Sequence, residues 1–252
     1  MKYYFLVTYL PEIHRDDRKI KLSFGDILKE RDHIAQADWR DIELLLIADD
    51  IFLLERLLSG KDPEAEYAYY GKQFWKEQIK APKELPAFLD EFLKNVISEE
   101  FGPGEVNALY GIFYEYAVEK ANSPLLRDYF LFEKELKNIL AAIRARNLGF
   151  SPAAHLLGSG ERVEQLGRSN ADDFGLGQEV PWIDRLLNVE DPLLMEDTVE
   201  QIRWDFLEER IQQKNFEFEV VLAYLLKLQL LEKRLALSEE QGMEIVRELE
   251  GL

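Results

Sequence analysis

The sequence predicts a mainly α protein, a multi-helix bundle or solenoid-like stack, with a small N-terminal β element. Three observations predict it. From Asp38 onward apolar residues recur at the helical period. Several of these segments open on a capping residue or proline and close on glycine. One run, YYFLVTYL at residues 3–10, is instead β-branched and aromatic and stops at Pro11.

That run is the expected strand, with a partner strand expected near Lys19–Phe24. HRDDRK reads as a polar loop, and Ser23 is placed to cap a short helix, FGDILKERDH. DWRDIELLLIADDIFLLERLLSG follows, with an Asp cap and a stop at Gly60. KDPEAEYAYYG is a polar break before a short helix over residues 72–80. LPAFLDEFLKNVISEEFG predicts another helix that closes at Gly102, and Glu105–Ala121 a further one, rich in Tyr and Phe on one side. Ser123-Pro124 reads as a cap followed by proline at the first helical position, where its missing amide costs nothing. Leu125, Tyr129, Phe132, Leu136, Ile139 and Ile143 then form one seam. Ala141, Ala142 and Ala145 leave room for a neighbouring helix, Arg144 and Arg146 suit the last turn, and Gly149 ends it. Ser151-Pro152 starts a short helix. GSGERVEQLGRSNADDFGLGQEVP reads as a long connection or a loosely ended helix pair. Pro192–Leu235 returns to the helical period, and Ser238–Leu249 is expected as a final amphipathic helix. The chain divides most naturally into residues 1–122 and 123–252, or forms one continuous domain.

DDIFLLERLLSG, LKNILAAIRARN and LKLQLLEKRLAL echo one another weakly, a pattern that common helical composition also produces. The 252 residues suffice for a real core. No apolar run approaches the ~20 residues of a membrane span, and the N-terminus lacks a small-residue cleavage site. With no cysteine, thiolate chemistry and disulfides are excluded. A net charge of −18 repels nucleic acid and anionic lipid, and favours basic partners or simply solubility.

Catalytic patterns are fragmentary. Glu30 and His33 have the Glu-x-x-His spacing of carboxylate-bridged metal sites, but the second motif such sites need is missing, so a surface histidine is expected. His14-Arg15-Asp16 and Asp173-Phe174-Gly175 match pieces of a kinase without its Gly-rich loop or its order. Gly158-Ser159-Gly160-Glu161 lacks the Gly-Lys-Ser/Thr end of a phosphate loop. Carboxylate pairs carry no weight among 49 acids. Tyr110, Phe113, Tyr114 and Tyr116 read as core plus rim, with any exposed remainder available to a protein partner. The reading is a non-enzyme without cofactor or metal.

Three blocks, LLRDYFLFEKELKNILAAIRARNLG (125–149), SNADDFGL (169–176) and EDTVEQIRWDFLEERIQQKNFEFEVVLAYLLKLQLLEKRLAL (196–237), follow a start of MKYYFLVTYLPE and KLSFGDIL. In order and spacing they resemble an uncharacterised bacterial family encoded among V-type (V/A-type) ATPase genes. More distantly, FLFEKELKNILAAIRAR (130–146) and FEVVLAYLLKLQLLEKRLAL (218–237) are similar to helices of the V/A-ATPase funnel subunit, which is the eukaryotic d subunit and its archaeal and bacterial counterpart. That funnel is all-helical and seats the central rotor stalk on the membrane ring of an ion-transporting machine. This chain is shorter and opens on an expected strand where the funnel subunit opens on a helix, which argues against three complete repeats. The resemblance implies a non-catalytic subunit or accessory protein that couples or assembles the stalk with the rotor. It implies central-stalk and membrane-ring partners, and a cytoplasmic location peripheral to the inner membrane. The partner-binding candidates are the charged backs of the two helices: Arg127, Glu133, Lys137, Arg144 and Arg146, and Glu219, Lys227, Glu232 and Lys233. The alternative is a helical adaptor unrelated to rotary coupling.

Overall fold

Helix begins at the fourth residue and recurs to the last described turn. The computed structural model describes residues 2–96 and 101–250, with side chains through Leu237 in the last helix. Among the described residues there are eleven α-helices, two single 3₁₀ turns and no strand. None of these helices is long and apolar enough to cross a membrane. The chain divides into two units. One comprises Met1–Trp39 with Leu193–Leu252, the other Arg40–Pro192. The division expected at 122/123 falls inside the second unit, at a helix–helix turn.

In the first unit the expected strand is a helix, α1 (Tyr4–Tyr9). Tyr3 and Leu6 are buried one turn apart, and the Tyr3 ring lies 5.5 Å from that of Phe218. The Tyr3 hydroxyl donates to the Asp38 carboxylate and accepts from the Ala35 N–H at 3.2 Å. β propensity lost because a strand needs a neighbour for its amides, whereas a helix satisfies them within itself. The expected partner strand at Lys19–Phe24 is also absent: it is irregular chain that leads into α2 (Phe24–Leu28). Ser23 does cap α2, in a reciprocal box with Asp26.

The core of this unit is built on the last two helices of the chain. α10 (Pro192–Ile211) and α11 (Phe218–Glu250) follow α3–α9 of the other unit. Ser238–Leu249 is no separate helix but the continuation of α11. Val221 to Leu228 are all buried, on every side of the helix, so this stretch runs through the interior. The N-terminal loop is tied down by charge. Arg15 reaches Asp197 on α10 at 2.6 Å, and Arg234 on α11 donates to the Asp17 carbonyl at 2.9 Å.

The second unit is organised by α3 (Gln36–Leu58), whose first turn belongs to the other unit. Asp38 therefore lies in the first turn and not at the cap. α4 (Lys72–Lys80), α5 (Asp90–Val96), α6 (Pro103–Lys120), α7 (Pro124–Asn147), α8 (Glu161–Arg168) and α9 (Asp184–Leu187) complete it. The part of the expected helix LPAFLDEFLKNVISEEFG at residues 97–100 lies outside the described residues. Two fully buried carboxylates on α3 fix the connections. Asp41 accepts the Asn122 and Ser123 N–H groups, each at 2.8 Å, and so holds the α6–α7 turn. Asp50 accepts from the backbone of Tyr69, Tyr70 and Gly71 and from the Trp75 indole N–H at 2.8 Å. Burial pushes the Asp50 carboxyl up from its ordinary range, and these donors pull it the other way.

α7 packs on α6, as its seam requires. Leu125, Phe132, Leu136, Ile139 and Ile143 are buried, with Tyr129 half-buried at the edge. Ser123 stands at the cap position, but its hydroxyl makes no cap bond. Asp41 holds the Ser123 amide instead. The aromatic cluster is core plus rim: Phe113 and Tyr114 are buried, while Tyr116 stacks on Phe88 at 3.9 Å.

Leu136 is fully buried, so Leu136→Ala should cost ~2–5 kcal/mol, measured by urea unfolding. Asp26 provides a signed test. Lys29, 2.7 Å away, and the Ser23 amide and hydroxyl hold its carboxyl down to about 2 from 3.8. A depressed carboxylate stabilises the fold above its unfolded value and loses that contribution as pH falls through the folded value. Asp26→Asn should therefore lower the urea midpoint more at pH 6 than at pH 3.

Candidate functional site

The second unit carries an open groove of about 600 Å³ where three helix ends meet. Each end is shaped by its sequence. α3 stops in a Schellman turn: Lys61 N–H donates to the Arg56 carbonyl and Gly60 N–H to that of Leu57, with Gly60 at φ +74°. α7 stops the same way, with Phe150 N–H on the Ala145 carbonyl at 2.8 Å and Gly149 N–H on that of Arg146 at 2.9 Å. The left-handed Gly149, φ +74°, turns the chain so that Phe150 folds back beside Ala145, and both line the groove. α6 begins there with Gly102 and Pro103, and the Glu105 carboxylate takes the Gly102 N–H at 2.9 Å.

The lining is apolar: Phe101, Val106, Ala141, Ala145 and Leu148 supply most of it. Leu148 and Phe150 are 70% and 60% exposed, and with the rest of the lining they form one apolar patch. Arg144 projects from α7 at the wall and is exposed; His155 stands on the 3₁₀ turn Pro152–His155. No carboxylate lines the groove among the described residues. Of the three alanines expected to admit a neighbouring helix, Ala141 and Ala145 line the groove and Ala142 is fully buried.

Arg146, two residues on, faces a different task. Its guanidinium lies 3.5 Å from the centre of the Phe174 ring. It also donates to the carbonyls of Ser169, Ala171 and Asp172. Around it the SNADDFGL segment is wound tightly. Phe174 and Gly175 both take positive φ, and Asp173 accepts from the Gly175 and Gly177 amides at 2.8 and 3.1 Å. Gln165 on α8 donates to the Phe174 and Gly175 carbonyls. Asp173-Phe174-Gly175 is thus a folded turn built on an arginine.

A family model described as "Protein of unknown function (DUF2764)" matches residues 1–251. The chain belongs to the DUF2764 family. No curated protein matches it. In this DUF2764 protein the nine candidate charges divide by burial and partner. Glu133 and Lys227 are buried, because neighbouring elements cover α7 and α11 at these two positions where the sequence suggested solvent. Lys227 instead pairs with Glu208 and lies over the Trp204 ring. Glu232 accepts the Phe24 N–H at 2.7 Å, which caps α2 from another helix. Arg127 donates to the Ala121 carbonyl, Lys137 sits over the Tyr110 ring, and Glu219 pairs with Lys214 at 3.5 Å. Arg144 and Lys233 are exposed, and only Arg144 lies in the groove. The Glu30–His33 pair is 3.6 Å apart, and no group of three or more acids and histidines poised for a metal occurs among the described residues. Apart from Ala141 and Ala145, sequence reasoning missed the groove's apolar members. The signal available was Leu148-Gly149-Phe150, two large apolar residues around a helix-stopping glycine.

Arg146→Ala should destabilise the chain by about 1–3 kcal/mol, since it removes charge-assisted hydrogen bonds to three carbonyls and the contact with the buried Phe174 ring. Arg144→Ala should stay within ~0.5 kcal/mol of the parent. Chemical denaturation of the two variants separates the structural arginine from the surface one.

Proposed function

We propose that this DUF2764 protein is a non-catalytic subunit or accessory protein of a V-type ATPase, acting as the funnel subunit does to couple or assemble the central stalk with the membrane rotor. The observation that carries the reading is the ordered likeness of the four sequence blocks. Its support is that these blocks are what the folded units are built around. The N-terminal block and 196–237 pack together through Tyr3–Phe218 and Phe24–Glu232. The 125–149 and 169–176 blocks meet through Arg146 and Phe174. One expected departure from the funnel subunit also falls away, because the chain opens on a helix. Its work in this reading is attachment, on the cytoplasmic side of the membrane and without a cofactor. The net charge of −18 draws basic surfaces of a rotor component at long range, chiefly through association rate and less so as salt rises.

The second reading is an adaptor outside rotary coupling. The groove favours it, because an apolar trough with one arginine fits partners of many kinds. Affinity capture of the tagged protein from solubilised membranes, with mass spectrometry, decides between them. Enrichment of central-stalk or membrane-ring subunits at low salt, reduced at high salt, is the expected result. Reproducible capture of other partners with no ATPase component would favour the adaptor.

A further inference from the structure

We infer that the groove between the ends of α3, α6 and α7 docks an acidic amphipathic helix of a partner protein. Leucine- or phenylalanine-sized side chains would enter the trough, and a flanking carboxylate would meet Arg144. This rests on the reading of the chain as a partner-binding protein, but not on which assembly it joins. The argument is one of complementarity. The chain carries 49 acids against 31 lysines and arginines, so an acidic segment is repelled by most of its surface. Among the described residues the groove is the exception. Its described lining has an arginine and a histidine and no carboxylate. The nearest acid on α6, Glu105, is occupied with the Gly102 amide at 2.9 Å. The Arg144 side chain makes no ion pair or hydrogen bond among the described residues, so its charge is available.

The start of α6 does not work against this, because the partial positive charge of its N-terminal amides offsets the Glu105 carboxylate held on them. The opposing dipole end of α7 is muted, because the Schellman turn occupies the Ala145 and Arg146 carbonyls. The volume, about 600 Å³, accepts several large side chains. Leu148 and Phe150 provide exposed apolar walls that such side chains would cover. A helix is the fitting form for the occupant, since anchors at i, i+3, i+4 and i+7 fill a trough of this kind from one face.

The test uses the full chain and two fluorescein-labelled helical peptides of about four turns. They share one leucine and phenylalanine face and differ only in glutamate or lysine on the flanks. Fluorescence anisotropy should show the glutamate peptide binding about tenfold more tightly, or ~1.4 kcal/mol. Arg144→Glu should reverse that preference, with an unchanged circular dichroism spectrum. Arg144→Gln, the gentler variant, should abolish the preference and leave apolar binding in place. Leu148→Asp should weaken both peptides. Equal binding of the two peptides, no binding of either at millimolar concentration, or indifference to both Arg144 variants would overturn the inference. So would decanoate displacing the glutamate peptide at concentrations below the peptide's own, because the occupant would then be a small anionic amphiphile. A failed affinity capture of ATPase components alongside peptide discrimination would sink the rotary reading and leave this one standing.

Discussion

Buried backbone amides must find acceptors, and in this chain carboxylates turned inward supply them. Asp41 and Asp50 lie on one helix, fully buried, and between them they take up amides from two separate connections. An unpaired amide in such a place would cost roughly 1–3 kcal/mol. Without Asp41 the turn between α6 and α7 has no anchor on α3. Without Asp50 the segment before α4 loses its partners, along with the indole of the buried Trp75. The first unit uses the same device, as Glu232 of α11 takes the Phe24 amide at the start of α2. Carboxylates therefore do in this protein what strand neighbours do in a sheet.

The surface reflects the same device. The acids that shape the fold are withdrawn from solvent, yet the remainder still leaves the chain strongly negative. Against that background the groove stands out chemically. It is formed where helix ends converge, and its described lining carries glycine, proline and arginine and no carboxylate. Local capping chemistry thus sets the character of the partner surface. Arg144 and Arg146 show how finely this divides. They sit in the same turn, two residues apart and so on different sides of the helix, and one faces the groove while the other is enclosed by the Ser169–Phe174 carbonyls and ring.

The helices were legible in the order of residues, because capping and period are local. α4 matches its expected limits, α7 begins at Pro124 and stops before Gly149, and the seam through Leu136 is core because i, i+3 and i+4 spacing admits no other face. Family membership over residues 1–251 was likewise carried in that order. Three features instead waited on contacts between distant segments. The Tyr3–Leu10 run became helix because no strand lay beside it, while Phe218 and Asp38 offered Tyr3 a site that a helical register reaches. Glu133 and Lys227 went inward because neighbouring elements covered the sides that periodicity assigns to water. The groove exists because ends far apart in sequence, Ser59, Gly102 and Leu148, converge. Period and capping describe one segment at a time; burial and convergence depend on which segments meet.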